Sequence, residues 1–440
     1  MQSCGHEPRR FEAGAIGRTT VPEGSSREGV KKTPNSVGTE KSFHPELYSL
    51  RAAAFAVIFG HHFLASYLGG FARLTHDGVA SRVVMALVDS CSVGLDMFFC
   101  LSSFLITSQL VREFDAHGHL NVGRFLARRS LRIFPLYFGF LALTVFIVPR
   151  LIPGEHLSGV YLSAFCFFGA NWLCAFNGYP ASVSAPLWSV SAEQQFYLVW
   201  SALIAFLSPR RVVPLALCGL GLATVARITV LHLGLPHPAI WANTFARLDP
   251  IALGALCAMF VRQKRWRPGQ GLRTSILITG LSVPPLLIFI LGPTVYHGPW
   301  SVLFYPCVAL ASACVLAGTY RENKAKHPAV LVYLGRISYG LFIFHMLAIQ
   351  IVRTVQHFLV PHVQGWQMKL ALCAGSMALA LGLTVALAAL SYRYFETPFL
   401  ALKARFSIPK THPPAPATSL ASTPMGPGFS VPRTLRTGRA

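Results

Sequence analysis

The stretch from Leu50 to Phe63, LRAAAFAVIFGHHF, combines a long apolar run with one arginine and two histidines. It belongs to an apolar segment near residues 50–69. About 20 such residues let an α-helix cross a bilayer. Ionisable side chains are costly at membrane depth and are usually kept for function. The segment therefore predicts a membrane helix whose Arg51 and His62 are functional candidates.

Nine further apolar segments of spanning length follow along the chain. They lie near 85–109, 133–151, 187–207, 211–232, 240–262, 274–293, 300–318, 333–353 and 369–391. Only 12% of the residues are charged and the mean hydropathy is +0.50, whereas a soluble domain carries about 25% charged residues. We therefore predict an all-α polytopic membrane bundle of about ten transmembrane helices, with no separate soluble domain.

The distribution of basic residues predicts the orientation of these spans. If the apolar stretch 157–176 does not cross the membrane, the loops on one side of the membrane hold 19 lysines and arginines and those on the other side hold four. Lysine and arginine concentrate in cytoplasmic loops. We therefore expect both termini to be cytoplasmic and 152–186 to lie outside, either re-entrant or packed against the bundle.

Two polar tails flank the predicted membrane domain at 45–405. Residues 1–44 are rich in Gly, Ser, Thr and Pro, and 406–440 are basic and rich in proline. This composition is typical of disorder, and no early apolar run resembles a signal peptide. The net charge of +22 is explained by cytoplasmic loops facing a bilayer, so we expect no nucleic-acid partner. The ten cysteines form no C-x-x-C pair, and we predict no metal site.

Ionisable side chains in five predicted spans fall near one depth. On α-helical geometry His62 lies three turns above Arg51 on the same helix face, a rise of about 16 Å. Other candidates at this level are Asp96, Glu193, Arg247, Asp249 and His345. Isolated structural ion pairs are the alternative for any one of them, but an idle set of midplane charges is energetically unfavourable.

The sequence RRSLRIFPLYF, from Arg128 to Phe138, precedes the third predicted span. If it is helical, Arg129 and Arg132 share a face, since they are three residues apart. Planar guanidinium groups suit phosphate. These arginines either hold a nucleotide-like anion or only determine topology, and composition alone leaves both interpretations open.

Seven segments in order resemble the motifs of the acyltransferase-3 family of membrane O-acyltransferases. They are LRAAAFAVIFGHHF (50–63), GLDMFFCLSSFLITSQLVRE (94–113), RRSLRIFPLYF (128–138), LWSVSAEQQFYLVW (187–200), ARLDPIALGALCA (246–258), LGRISYGLFIFH (334–345) and SYRYFETPFL (391–400). The resemblance covers about 45–405. Ser103 replaces a usual glycine, and Gln194 replaces a frequent second glutamate, which gives Glu193 more weight.

The resemblance implies transfer of an acyl group, expected to be acetyl, from cytoplasmic acyl-CoA to a hydroxyl of a cell-surface or exported glycan or glycolipid such as lipopolysaccharide. It implies a bacterial cytoplasmic membrane, acyl-CoA as donor substrate and no permanently bound cofactor. Arg51, His62, Arg129 and Arg132 match the positions that matter in the family. We expect His62 to be the base, or else a transient acyl carrier. Glu193 would orient His62.

Two other classes of function compete with the enzyme. A transporter or flippase would use the midplane charges as a solute pathway, but the two halves share no Gly- or Pro-broken spans at matching positions. A non-catalytic scaffold would not need so many midplane charges. The pairing of an Arg51/His62 helix face with the Arg129/Arg132 motif favours the acyltransferase.

Overall fold

The computed structural model of the protein describes residues 44–72, 78–263, 266, 268–321, 327–359 and 365–406. The predicted tails at 1–44 and 406–440 therefore lie almost wholly outside the described residues. Within the described ranges the secondary structure is helical, without a β-strand. Eight helical segments there are long and apolar enough to cross a membrane. The prediction of an all-α polytopic bundle is confirmed.

Most of the long helices lie where the apolar segments predicted them. In chain order, the long and short α-helices of the described residues are α1 (Pro45–Ala72), α2 (Val79–Ser90), α3 (Gly94–His117), α4 (Val122–Phe146), α5 (Val148–Leu151), α6 (Gly159–Cys166), α7 (Ala170–Asn177), α8 (Trp188–Leu207), α9 (Val212–His232), α10 (Ala239–Ala242), α11 (Leu248–Arg262), α12 (Gln270–Leu291), α13 (Ser301–Thr319), α14 (Ala329–Arg336), α15 (Ser338–Leu359), α16 (Trp366–Leu390) and α17 (Thr397–Leu402). A π-helix at Ser391–Glu396 joins α16 to α17.

Helical structure fills most of the segment 110–132 between the second and third predicted spans. Helix α3 continues to His117 and ends at Gly118, whose φ of 73° is readily adopted by glycine. Helix α4 begins after Asn121, whose side chain accepts a hydrogen bond from the Arg124 N–H. Only four residues connect the two helices. The R-x-x-R motif is therefore part of a regular helix, and Arg129 and Arg132 share one of its faces.

The prediction of one continuous span over 240–262 is wrong. This segment begins with the short α10 and a 3₁₀ turn at Phe245–Arg247. Helix α11 then has 15 residues, or about 22 Å, less than the ~30 Å of a bilayer core. It lies against α3, α9 and α13 inside the bundle. Protein neighbours therefore surround a helix too short to span alone.

The ambiguous stretch 157–176 forms two short helices, α6 and α7, of eight residues each. Each is about 12 Å long, too short to cross a bilayer. A buried polar network secures α7: Asn171 donates to Thr244 and to the carbonyl of Ala242, and Gln195 donates to the Asn171 side chain and to the carbonyl of Phe168. These bonds let irregular backbone pack into the bundle, since its polar groups are satisfied by protein.

Candidate active site

Two histidines from the first and the second-last long helices meet inside the bundle. Nδ1 of His62 on α1 lies 3.0 Å from Nε2 of His345 on α15, and the two ring centroids are 5.0 Å apart. The His345 side chain is fully buried. The sequence placed both residues near one depth, and the fold brings them into direct contact.

The hydrogen bonds of His345 assign the protons of this pair. Nδ1 of His345 donates to the backbone carbonyl of Phe342, because a carbonyl can only accept. In a neutral imidazole, Nε2 of His345 is then the acceptor, and Nδ1–H of His62 is the donor to it. In a neutral His62 this leaves the lone pair on Nε2, the nitrogen suited to act as a base.

His62 lines a cavity of about 430 Å³, which we call the histidine cavity. Its wall includes His61, His62, Trp188, His237, Trp241 and Tyr296. Aspartate, glutamate, lysine and arginine are absent from the described residues that line it. The cavity lies towards the end of the bundle that carries α6 and α7, because the loops before Trp188, around His237 and around Tyr296 contribute to its wall.

A second cavity, of about 70 Å³, is lined by Arg51, Arg129, Arg132, Glu193 and Tyr197, and we call it the arginine cavity. Three guanidinium groups face one carboxylate there, which leaves a local excess of positive charge. Nε of Arg51 is buried with no hydrogen-bond partner among the described residues. A buried donor is normally paired, so the site is suited to an anionic group.

Contacts from α3, α4 and α8 hold Arg129 in this cavity. Its Nη2 donates to Oε1 of Gln109 at 3.3 Å. Its guanidinium carbon lies 5.6 Å from the centroid of the Tyr197 ring and 5.7 Å from that of the Phe125 ring. The neighbouring Arg128 points elsewhere, pairing with Glu113 at 2.7 Å. Two adjacent arginines of one motif thus differ: Arg128 forms a buried ion pair, and Arg129 lines the arginine cavity.

The two cavities adjoin each other. Leu95, Ser189 and Phe342 line both. Arg51 and His62 belong to the same helix, with Arg51 at the arginine cavity and His62 at the histidine cavity. The arrangement places a cluster of three arginines in one cavity and a candidate base in the other, with Leu95, Ser189 and Phe342 between them.

Glu193 does not lie beside His62, where we expected it to orient the imidazole. The structure places its carboxylate in the arginine cavity, where it interacts electrostatically with Arg51 and Arg129. His345 instead contacts His62. Gln194, which departs from the family motif, is absent from the described lining of both cavities.

The remaining midplane candidates form buried ion pairs. Nη2 of Arg247 donates to Oδ2 of Asp96 at 2.8 Å, and Arg227 makes a two-pronged contact with Asp249, its Nη2 lying 3.2 Å from Oδ1. Asp96, Arg247 and Asp249 are absent from the described lining of both cavities. Their charges are compensated by each other, as buried charges require.

Several residues in or near these cavities were not predicted from the sequence. Arg227 lies in the predicted span 211–232, so the rule that selected Arg247 would also have found it. The aromatic wall formed by Tyr179, Trp188, Trp241 and Tyr296 carried no comparable signal, because its residues come from four segments far apart in the chain.

One histidine of this wall lies outside the long helices. The ring centroid of His237, in the connection between α9 and α10, is 6.2 Å from that of Tyr179 and 6.3 Å from that of His297. Burial, together with the neighbouring His297, lowers the pKa of His237. At neutral pH the ring is therefore uncharged, with one donor and one acceptor nitrogen.

Comparison with known proteins agrees with the class that the motifs and the helix bundle define. The model of the acyltransferase-3 family, described as an acyltransferase domain, matches residues 46–392. The chain belongs to this family of acyl-transferring enzymes, so the resemblance stated above is confirmed. With its helices of spanning length, it is a multi-pass membrane protein.

Curated relatives are similar over most of this chain. The peptidoglycan O-acetyltransferase OatA of Listeria monocytogenes is 26% identical over 394 residues, which is 81% of this chain and 56% of the relative. The O-acetyltransferase OatA of Staphylococcus aureus is 27% identical over 379 residues, or 80% of this chain and 57% of the relative. The chain thus spans a little over half the length of these relatives. No significant match to a solved structure was found.

Proposed function

We propose that this protein is a membrane O-acyltransferase that moves an acyl group, most simply acetyl, from cytoplasmic acyl-CoA to a hydroxyl of an exported glycan. The observation that carries the proposal is the pair of adjoining cavities, one rich in arginine and one containing His62. The names of the relatives, which include a peptidoglycan O-acetyltransferase, favour acetyl as the group and a cell-wall glycan as the acceptor.

The arginine cavity is the donor side of this proposal. Guanidinium groups bind phosphates through short, charge-assisted and often bidentate hydrogen bonds. Arg51, Arg129 and Arg132 provide such donors. A cavity of about 70 Å³ accommodates a small group, so the bulk of acyl-CoA would lie nearer the surface. The pantetheine arm would then direct the thioester towards His62.

His62 is the base of this mechanism. Its Nε2 takes the proton of the acceptor hydroxyl, and the hydroxyl oxygen attacks the thioester carbonyl. The carbon–oxygen bond forms, the carbon–sulfur bond breaks, and the proton passes from His62 to the departing CoA thiolate. His345 holds Nδ1–H of His62, so that the reactive lone pair stays on Nε2.

This topology lets donor and acceptor approach from different sides. In the proposed orientation, the loops rich in lysine and arginine face the cytoplasm and both ends of the chain lie there. The acceptor reaches the histidine cavity from the opposite side. The pantetheine arm carries the thioester past Leu95, Ser189 and Phe342, which line both cavities, while the nucleotide part of CoA stays on the cytoplasmic side.

A His62→Gln variant tests the function. Glutamine can keep a hydrogen bond to His345 but cannot accept a proton as a base. A positioned base contributes about 10²–10⁴-fold to a rate, so we expect transfer of radiolabelled acetyl from acetyl-CoA to a glycan to fall by that factor. The protein should insert at the wild-type level.

The same assay separates the enzyme from a transporter. Purified wild-type protein in liposomes should form an acetyl ester on the glycan and release free CoA. Movement of a labelled glycan across the bilayer without an ester product would favour the flippase instead. Near-normal transfer by a folded His62→Gln variant would remove His62 from the mechanism.

A further inference from the structure

The histidine cavity has the chemistry of a carbohydrate site. Its volume of about 430 Å³ lies within the usual range for small-ligand pockets, about 300–1,000 Å³. Trp188, Trp241, Tyr179 and Tyr296 contribute aromatic surface. Sugar rings present flat patches of C–H groups that pack on aromatic faces, while their hydroxyls need polar partners. Ser92 and His237 provide such partners in the same wall.

The absence of charge in the described lining restricts the ligand. A phosphorylated or carboxylated sugar would bury an anion there without a counter-charge in the wall, which is strongly unfavourable. A neutral ring leaves no such charge unpaired. Burial and the neighbouring His297 lower the pKa of His237, which favours the uncharged form of this histidine.

The midplane ion pairs give this wall its support. The guanidinium carbon of Arg247 lies 4.3 Å from the centroid of the Trp241 ring and 4.7 Å from that of Tyr305. Asp96 holds Arg247 in place at 2.8 Å. A cation attracts an aromatic face more strongly when both are shielded from water. Arg247 and Asp96, which line neither cavity, thus help to fix the orientation of the Trp241 ring in the wall of the histidine cavity.

From these observations we propose that the histidine cavity binds one uncharged sugar ring of the acceptor, packed against Trp241 and Tyr179 with a hydroxyl directed to His62. This proposal rests on the proposed function and names the substrate class of the same site. It also excludes rings that carry a carboxylate or a phosphate within the cavity.

Binding experiments test the site without any turnover. Purified protein in detergent is titrated by calorimetry with chitotetraose, an uncharged oligomer of N-acetylglucosamine, and with the anionic trimer of galacturonic acid. We expect chitotetraose to bind and the anionic trimer to bind at least tenfold more weakly. Acyl-CoA is absent, so failure of the acetyl-transfer assay would leave this result intact and would count against the proposed function alone.

Three variants locate the binding. Tyr179 is 41% exposed in a loop, so Tyr179→Ala should fold even if Trp241→Ala does not. An aromatic contact is worth about 0.5–1.5 kcal/mol, so each change should weaken chitotetraose binding up to about tenfold. Trp300→Ala is the matched control, because Trp300 is 52% exposed and does not line the cavity. Its affinity should equal the wild-type value.

Several results would overturn the proposal. They are the absence of chitotetraose binding to the wild type, equal affinity for the anionic trimer, and an unchanged affinity in the folded Tyr179→Ala variant. An equal loss of affinity in Trp300→Ala would also overturn it, since the effect would then not belong to the cavity.

Discussion

At the scale of single residues, the contact between His62 and His345 changes the role assigned to each. The sequence offered them as separate candidates at similar depth, and Glu193 as the group that orients His62. The structure instead joins two histidines separated by 283 positions in the chain. The depth of a residue along a helix follows from the helical rise. The rotation of one helix against another depends on tertiary packing, so it cannot be predicted from the sequence of either helix alone.

Substitution of His345 should lower the rate without weakening donor binding. His345→Leu removes the acceptor that holds Nδ1–H of His62, so part of the ~10²–10⁴-fold contribution of a base should be lost. We expect kcat to fall at least about tenfold while KM for acetyl-CoA stays constant. His345→Gln retains a side-chain acceptor and should recover part of kcat. A parallel change of KM in both variants would instead indicate a general structural role.

The arginine cavity makes a second prediction for single residues. Arg132→Lys keeps the charge but loses the planar pair of donors, so KM for acetyl-CoA should rise about tenfold, equivalent to ~1.4 kcal/mol. Arg124→Lys is the matched control, because Arg124 belongs to the same helix and is exposed. Steady-state kinetics in detergent give both values. An equal change of KM in Arg132→Lys and Arg124→Lys would indicate that Arg132 only determines the membrane topology.

At the scale of helices, the apolar segments predicted where the helices lie along the chain, but they did not predict where a helix is interrupted. The predicted spans 211–232 and 300–318 agree within a residue with α9 and α13. The failure at 240–262 has a local cause, since Asn243 accepts hydrogen bonds from the N–H groups of Phe245 and Ala246 and stabilises a turn there. Hydropathy averages over such a turn, and it also overlooks a helix whose neighbours are protein rather than lipid.

Close packing of α11 on α3 depends on Gly254. A Cβ atom there would lie 2.2 Å from the carbonyl oxygen of Cys100 and 3.0 Å from Cβ of Ser103. Ser103, which departs from the family motif, uses its hydroxyl to donate to the carbonyl of Ile251 at 2.6 Å. The serine thus adds a hydrogen bond between α3 and α11 at the point where glycine on α11 allows the backbones to approach.

Gly254→Ala should therefore destabilise the bundle. Forcing a methyl group against backbone costs about 1–3 kcal/mol, which should lower the thermal midpoint measured by fluorescence-detected size exclusion. Gly221→Ala on α9 is the control, since a Cβ there meets nothing within 4 Å. A Gly254→Ala midpoint equal to that of Gly221→Ala would contradict the close approach.

At the scale of the whole molecule, the two cavities differ in the charge of the residues that line them. Three arginines line one cavity, whereas the described lining of the other has no Asp, Glu, Lys or Arg, and Leu95, Ser189 and Phe342 line both. The sequence motifs named Arg51, Arg129 and Arg132, which the structure brings together in one cavity. It did not predict the histidine cavity, whose aromatic residues come from segments far apart in the chain.

The orientation of this bundle is a prediction that labelling can settle. Loop positions 119 and 181 are exposed and lie at opposite ends of α4 in the chain. In a cysteine-free background, His119→Cys should react with a membrane-impermeant maleimide only after cells are permeabilised, and Ala181→Cys should react in intact cells. The physical reason is the 19-to-four division of lysine and arginine between the two sets of loops. The reverse pattern would place the arginine cavity on the outside, away from cytoplasmic acyl-CoA, and would exclude the donor route proposed above.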